Sequence, residues 1–65
     1  MHTYYIRYES DLYEVVVEVS EKGKRLTHIT RYQGPENRLG EEVLYRDLDE
    51  VLRQRIFEEV QNDRN

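Results

Sequence analysis

With 65 residues, no cysteine and a formal net charge of −4, the chain can build one small domain and has no disulfide or thiolate metal site to staple it. No apolar run approaches the ~20 residues that span a bilayer, and Met1–Ile6 carries neither the charged nor the apolar region of a signal peptide. A soluble, cytoplasmic protein held together by packing alone, with no cofactor and no membrane contact, is the expectation.

Alternation at a period of two governs the first half of the chain. The run at about 2–9 sets Tyr4, Ile6 and Tyr8 against Tyr5, Arg7 and Glu9. The run at about 12–20 sets Tyr13, Val15, Val17 and Val19 against Glu14, Val16 and Glu18, and a third strand follows at about 25–33. A loop at Ser10–Asp11 places Tyr8 opposite Tyr13, Ile6 opposite Val15, Tyr4 opposite Val17 and Arg7 opposite Glu14. Closing the next hairpin at Lys22–Gly23 places Val19 opposite Leu26, Val17 opposite His28, Val15 opposite Thr30 and Tyr13 opposite Tyr32. In that register Ile29 falls on the side away from Leu26 and Tyr32. Either a bulge in the third strand or a one-residue shift at the glycine turn is then expected.

Gly34–Pro35 ends the alternation, because proline donates no hydrogen bond and restricts its predecessor. Residues 34–40 read as a connection. Beyond it, Leu48, Leu52, Ile56 and Val60 recur every four residues, with Val51 beside them, and predict a helix at about 47–61. Asp47 is its expected N-cap, with Glu50 three residues on. Val43–Leu44–Tyr45 reads either as an earlier helical turn or as a short fourth strand. The fold class is α+β: a three-stranded antiparallel sheet, or four-stranded in the second case, with one C-terminal helix on one face.

No catalytic constellation is present. His2 is terminal, His28 lies in a strand on the face assigned to the helix, and Ser10 and Ser20 stand at turns without a nearby base. Gly23, Gly34 and Gly40 are dispersed and form no phosphate loop. Asp47, Asp49 and Glu50 lack the twelve-residue spacing of a calcium loop, so no metal site is expected and the acids read as a helix start. Six tyrosines suggest a stacking surface for single-stranded nucleic acid, but that needs basic surroundings, which this chain lacks.

Two surfaces remain as candidates. On the sheet face away from the helix, Tyr5, Val16 and Ile29 would form a cross-strand apolar row, suited to a partner or to a homodimer. The second is acidic. Residues 1–40 are neutral overall, and all the net charge comes from residues 41–65. There, Asp49–Arg53 and Arg55–Glu59 are expected as i,i+4 pairs, joined by Glu42–Arg46 if the helix starts early, which leaves Glu41, Asp47, Glu50, Glu58 and Asp63 without a close base. Asp47, Glu50, Gln54, Glu58 and Gln61 follow helical steps along the back of the helix, spaced by roughly 5–6 Å. Such a line repels nucleic acid itself and attracts a basic protein surface.

In length, in the concentration of charge after Gly40 and in the bare stripe Asp47/Glu50/Glu58, the chain resembles by type the small acidic, cysteine-free inhibitors of phages and mobile elements, anti-CRISPR proteins among them. That resemblance implies a non-enzymatic protein-binding module that blocks a CRISPR effector or another nucleic-acid-binding protein by presenting a DNA-mimicking surface. The alternative is a small antitoxin-like or regulatory protein dimerising through its exposed sheet face. The expected state is monomer or homodimer.

Overall fold

A computed structural model of the chain describes residues 1–62. Four strands form one antiparallel sheet in sequence order: β1 (His2–Tyr8), β2 (Asp11–Ser20), β3 (Gly23–Gln33) and β4 (Arg38–Glu42). A 3₁₀ turn, Tyr45–Asp47, leads to the single α-helix, α1 (Glu50–Asn62). The α+β class and the helix on one sheet face are as the hydrophobic pattern requires. Ile6, Tyr13, Val15, Val17 and Ile29 from the sheet pack with Leu52, Ile56 and Val60 from the helix. No helix among the described residues is long and apolar enough to cross a membrane.

The first hairpin closes one step earlier than expected. Its turn is Glu9–Ser10, both at positive φ (47° and 73°), and the strands pair Tyr8 with Asp11, Ile6 with Tyr13, Tyr4 with Val15 and Tyr5 with Glu14. The pairing differs by two residues from the expected one, so each side chain keeps its face and the hydrophobic pattern could not tell the two apart. Contacts within the turn and to the β3–β4 loop favour the observed pairing. Asp11 Oδ1 accepts a bond from the Gly34 amide at 2.9 Å, and Arg7 donates to the Ser10 carbonyl at 3.0 Å and to Asn37 Oδ1 at 2.7 Å.

The second hairpin also closes one step early, at Glu21–Lys22 with Ser20 opposite Gly23 in place of the expected turn at Lys22–Gly23, and a bulge further along changes its register again. Val17 pairs with Leu26 while Val16 pairs with His28, so Thr27 has no opposite residue; its hydroxyl donates to the Val16 carbonyl at 3.0 Å. The extra residue turns the rest of β3 over. Ile29 enters the core at 1% exposure, beside Val15, and His28 goes to the open face, which reverses both sequence expectations. Tyr32 likewise moves to the open face beside Leu12, and Arg31, paired with Tyr13, moves to the helix side.

The fourth strand exists, but it is Arg38–Glu42 rather than Val43–Tyr45, and it takes up part of the expected connection. It could not be read from alternation, because Asn37 and Leu39 hold positive φ (54° and 52°) and the register against β3 is interrupted. Gly40 fits this strand for a steric reason: a Cβ there would come within 2.7 Å of the Tyr32 ring. Val43 and Leu44 connect β4 to the 3₁₀ turn, tied by Val43 N–H to the Ile29 carbonyl at 2.9 Å.

The helix starts three residues later than expected. Leu48 is extended (φ −81°, ψ 155°), which separates the 3₁₀ turn from α1 and lets Leu48 pack against the core. Asp49, not Asp47, therefore holds the cap position, its carbonyl accepting the first helical bond from Arg53 N–H at 2.9 Å. At the other end Lys24 Nζ donates to the Val60 carbonyl at 2.5 Å, supplying the cation that the last turn of α1 lacks.

The Tyr8 hydroxyl donates to Asp49 Oδ2 and joins the end of β1 to the start of α1. That bond, foremost, pushes the Tyr8 phenol up from 10.0 to about 12. Raised in the folded state, the group contributes stability that is present below pH 10.0 and lost as pH rises through about 12. An alkaline absorbance titration should find Tyr8 ionising near pH 12, and Asp49→Ala should bring it back towards 10.0. Tyr8 titrating at the ordinary value in the wild type would remove this tie.

Candidate functional site

The acids of the domain fall into two groups. Those on the sheet and in the β3–β4 loop are engaged. Glu14 accepts from Tyr5 at 3.0 Å and from Tyr32 at 3.4 Å, and its proximity pushes the Tyr5 phenol up. Glu18 pairs with Arg25 at 3.4 Å, Glu42 with His28 at 3.1 Å, Glu41 with Arg31, and Glu36 with Arg38. Arg31 is held strongly basic by Glu41 and by the Tyr13 hydroxyl, against the desolvation that opposes its charge.

The acids of the helix side differ. Glu50, Gln54, Glu58 and Gln61 are all exposed on the solvent side of α1, opposite the buried Leu52, Ile56 and Val60. Neither Glu50 nor Glu58 makes an ion pair with a described residue; Glu58 accepts only from Gln54, at 3.3 Å. The two i,i+4 pairs that sequence spacing assigned are not made. Arg55 donates to the carbonyl of Arg7 at 3.1 Å, and the Asp49 carboxylate is taken by Tyr8. The expected Asp49–Arg53 and Arg55–Glu59 pairs are thus replaced, and Glu59 joins the unpaired acids. Among the described residues no base pairs with Glu50, Glu58 or Glu59.

Of the five acids singled out from sequence, the structure sets two, Glu50 and Glu58, on the solvent side of α1 and a third, Asp47, in the turn before it. Asp47 is exposed there and no longer in helical phase with them. Glu41 leaves the set, because β4 carries it to Arg31. Asp63 lies outside the described residues. The apolar row Tyr5/Val16/Ile29 is dissolved by the bulge: Ile29 is in the core, Val16 is half-buried, and only Tyr5 is largely exposed, at 62%. The open face instead carries Tyr5, Glu14, His28, Tyr32 and Glu42, joined by the hydrogen bonds above. It offers no continuous apolar patch.

Phe57 is a residue that sequence reasoning passed over. It is 54% exposed, at the rim of an open cleft of about 440 Å³ lined by Leu26, Tyr45, Ile56 and Val60. The available signal was its position: one residue after Ile56, it lies about 100° off the buried stripe, where a large apolar side chain has no core to enter. It borders the acidic line and supplies the apolar element that the line itself lacks.

Among the described residues no group of three or more His, Asp or Glu side chains is arranged to hold a metal ion. Comparison of the chain with protein-family models, with curated proteins and with solved structures gives no match.

Proposed function

We propose that the chain is a non-enzymatic protein-binding module whose contact surface is the solvent side of α1 and the turn before it: Asp47, Glu50 and Glu58, with Phe57 as the apolar anchor. One observation carries the reading. Outside the hairpin turns, the acids of the sheet have partners on other strands or loops, whereas Glu50 and Glu58 make no ion pair with a described residue and Glu58 meets only the neutral Gln54 of its own helix. A partner with a basic groove gains most from charges that are not already quenched. Glu50 and Glu58, eight residues and about 12 Å apart along α1, can meet Lys and Arg side chains arranged for phosphates. In its sharpest form, then, the module is an inhibitor that occludes the groove of a nucleic-acid-binding protein, a CRISPR effector being one such target.

The test compares capture from cell lysate on the immobilised wild type and on a variant carrying Asp47→Asn, Glu50→Gln and Glu58→Gln. The reading predicts a basic protein retained by the wild type at about 50 mM salt, released by about 200 mM, and not retained by the variant. A protein held equally by both would remove the acidic line from the contact.

A further inference from the structure

The two edges of the sheet are unlike. β4 is short, its register is interrupted, all five of its residues are exposed, and it carries Arg38, Glu41 and Glu42. These are the features that keep an edge from pairing with another chain. β1 has none of them apart from a single charge: seven residues without proline, glycine or bulge, Arg7 being the only formally charged one.

Hairpin geometry fixes which of its backbone groups point away from β2. A two-residue turn closes on Tyr8 and Asp11, which exchange both hydrogen bonds. His2, Tyr4, Ile6 and Tyr8 therefore face β2, and Thr3, Tyr5 and Arg7 turn their N–H and C=O groups outward. The bond from Arg55 to the Arg7 carbonyl agrees, since that carbonyl is reached from outside the sheet; it takes one lone pair of the oxygen and leaves the second for another donor.

We propose that this edge is a self-association site, where a second copy of the chain pairs β1 against β1 in antiparallel fashion. Outward groups must meet outward groups, and one register overlaps the whole strand while doing so: Tyr5 opposite Tyr5 of the second copy, with Thr3 opposite Arg7. In this register the lone charge meets a threonine and not its own copy, and on the helix side Tyr4 meets Ile6. A two-fold axis at Tyr5 joins the two four-stranded sheets into one of eight strands. Both helices then lie on the same side and present two acidic lines together. The inference is independent of the binding reading above.

The test is sedimentation of the full chain at high micromolar concentration, with hydrogen exchange alongside. The wild type should sediment at twice 8.0 kDa, and the amides of Thr3 and Tyr5 should gain protection as concentration rises. Tyr5→Pro removes an outward donor without touching the β2 ladder, and Tyr5→Lys sets two ammonium groups across the axis. Each should weaken the dimer at least tenfold while circular dichroism stays that of the wild type. If the proline variant does not fold, the lysine variant decides, because Tyr5 is exposed. A monomeric wild type overturns the proposal. So does a dimer that survives Tyr5→Lys, or one that leaves the Thr3 and Tyr5 amides unprotected.

Discussion

Replacing Ile29 with alanine is expected to destabilise the domain by about 2–4 kcal/mol. Ile29 is among the most completely buried side chains, together with Val15, Val17, Leu52 and Ile56, and the vacated space lies at the centre of the sheet–helix contact. A domain of this size has a stability of only about 5 kcal/mol, so the loss is a large part of the whole. In urea, with a slope of about 1 kcal/mol per molar, the midpoint should fall by roughly 2 M or more. Val16→Ala, in the adjacent strand but on the other face, should cost less than about 1.5 kcal/mol. Deleting Thr27 sharpens the comparison. A deletion inside a strand normally turns the following residues over. Here it removes the residue that has no opposite, so Leu26 stays inward, His28 outward and Ile29 inward. The deletion variant should fold, losing about 1 kcal/mol with the Thr27–Val16 bond. An Ile29→Ala variant as stable as wild type, or an unfolded Thr27 deletion, would contradict the bulge.

The combined variant Asp47→Asn, Glu50→Gln and Glu58→Gln should lower affinity for the captured partner by about ten- to a hundredfold at low salt, or about 1.4–2.7 kcal/mol. Each change keeps side-chain size and removes one negative charge. None of the three carboxylates makes an ion pair with a described residue, so the fold should be unaffected and thermal stability should stay within about 1 kcal/mol of wild type. Most of the loss should appear as slower association, and the dependence of affinity on salt should flatten. Neutralising Glu14 and Glu42, which are engaged on the open sheet face, should leave binding unchanged. This contrast separates a specific acidic line from a general effect of net charge.

How far the sequence could be read depended on which physical signal each element carried. The core faces of β1 and β2 were legible because side-chain period fixes the face whatever the exact turn. For the same reason the two-residue error at Ser10–Asp11 left no trace in the pattern. The misfit of Ile29 points to a bulge or shift in β3, and either one returns Ile29 to the core and removes the row Tyr5/Val16/Ile29. β4 was illegible because its residues are all exposed and two positions at its start are left-handed, so no burial period exists to read. Leu52, Ile56 and Val60 form the expected stripe, but Val51 beside it is exposed at 57%, and spacing could not show that Leu48 breaks the helix or that Tyr8 claims Asp49. At the candidate site Glu50 and Glu58 were legible as bare acids from helical phase alone. The engagement of Glu41 depended on a strand pairing some ten residues away in sequence, and was not.

The most direct test of the binding account is a competition measurement on the purified partner. A fluorescent duplex DNA bound in the partner's groove is titrated with the full chain at about 50 mM and about 200 mM salt. The account predicts that the wild type displaces the DNA, that displacement weakens steeply at the higher salt, and that the combined Asp47, Glu50 and Glu58 variant fails to displace it. A ternary complex in which partner, DNA and wild type coexist, or equal displacement by the variant, would contradict it.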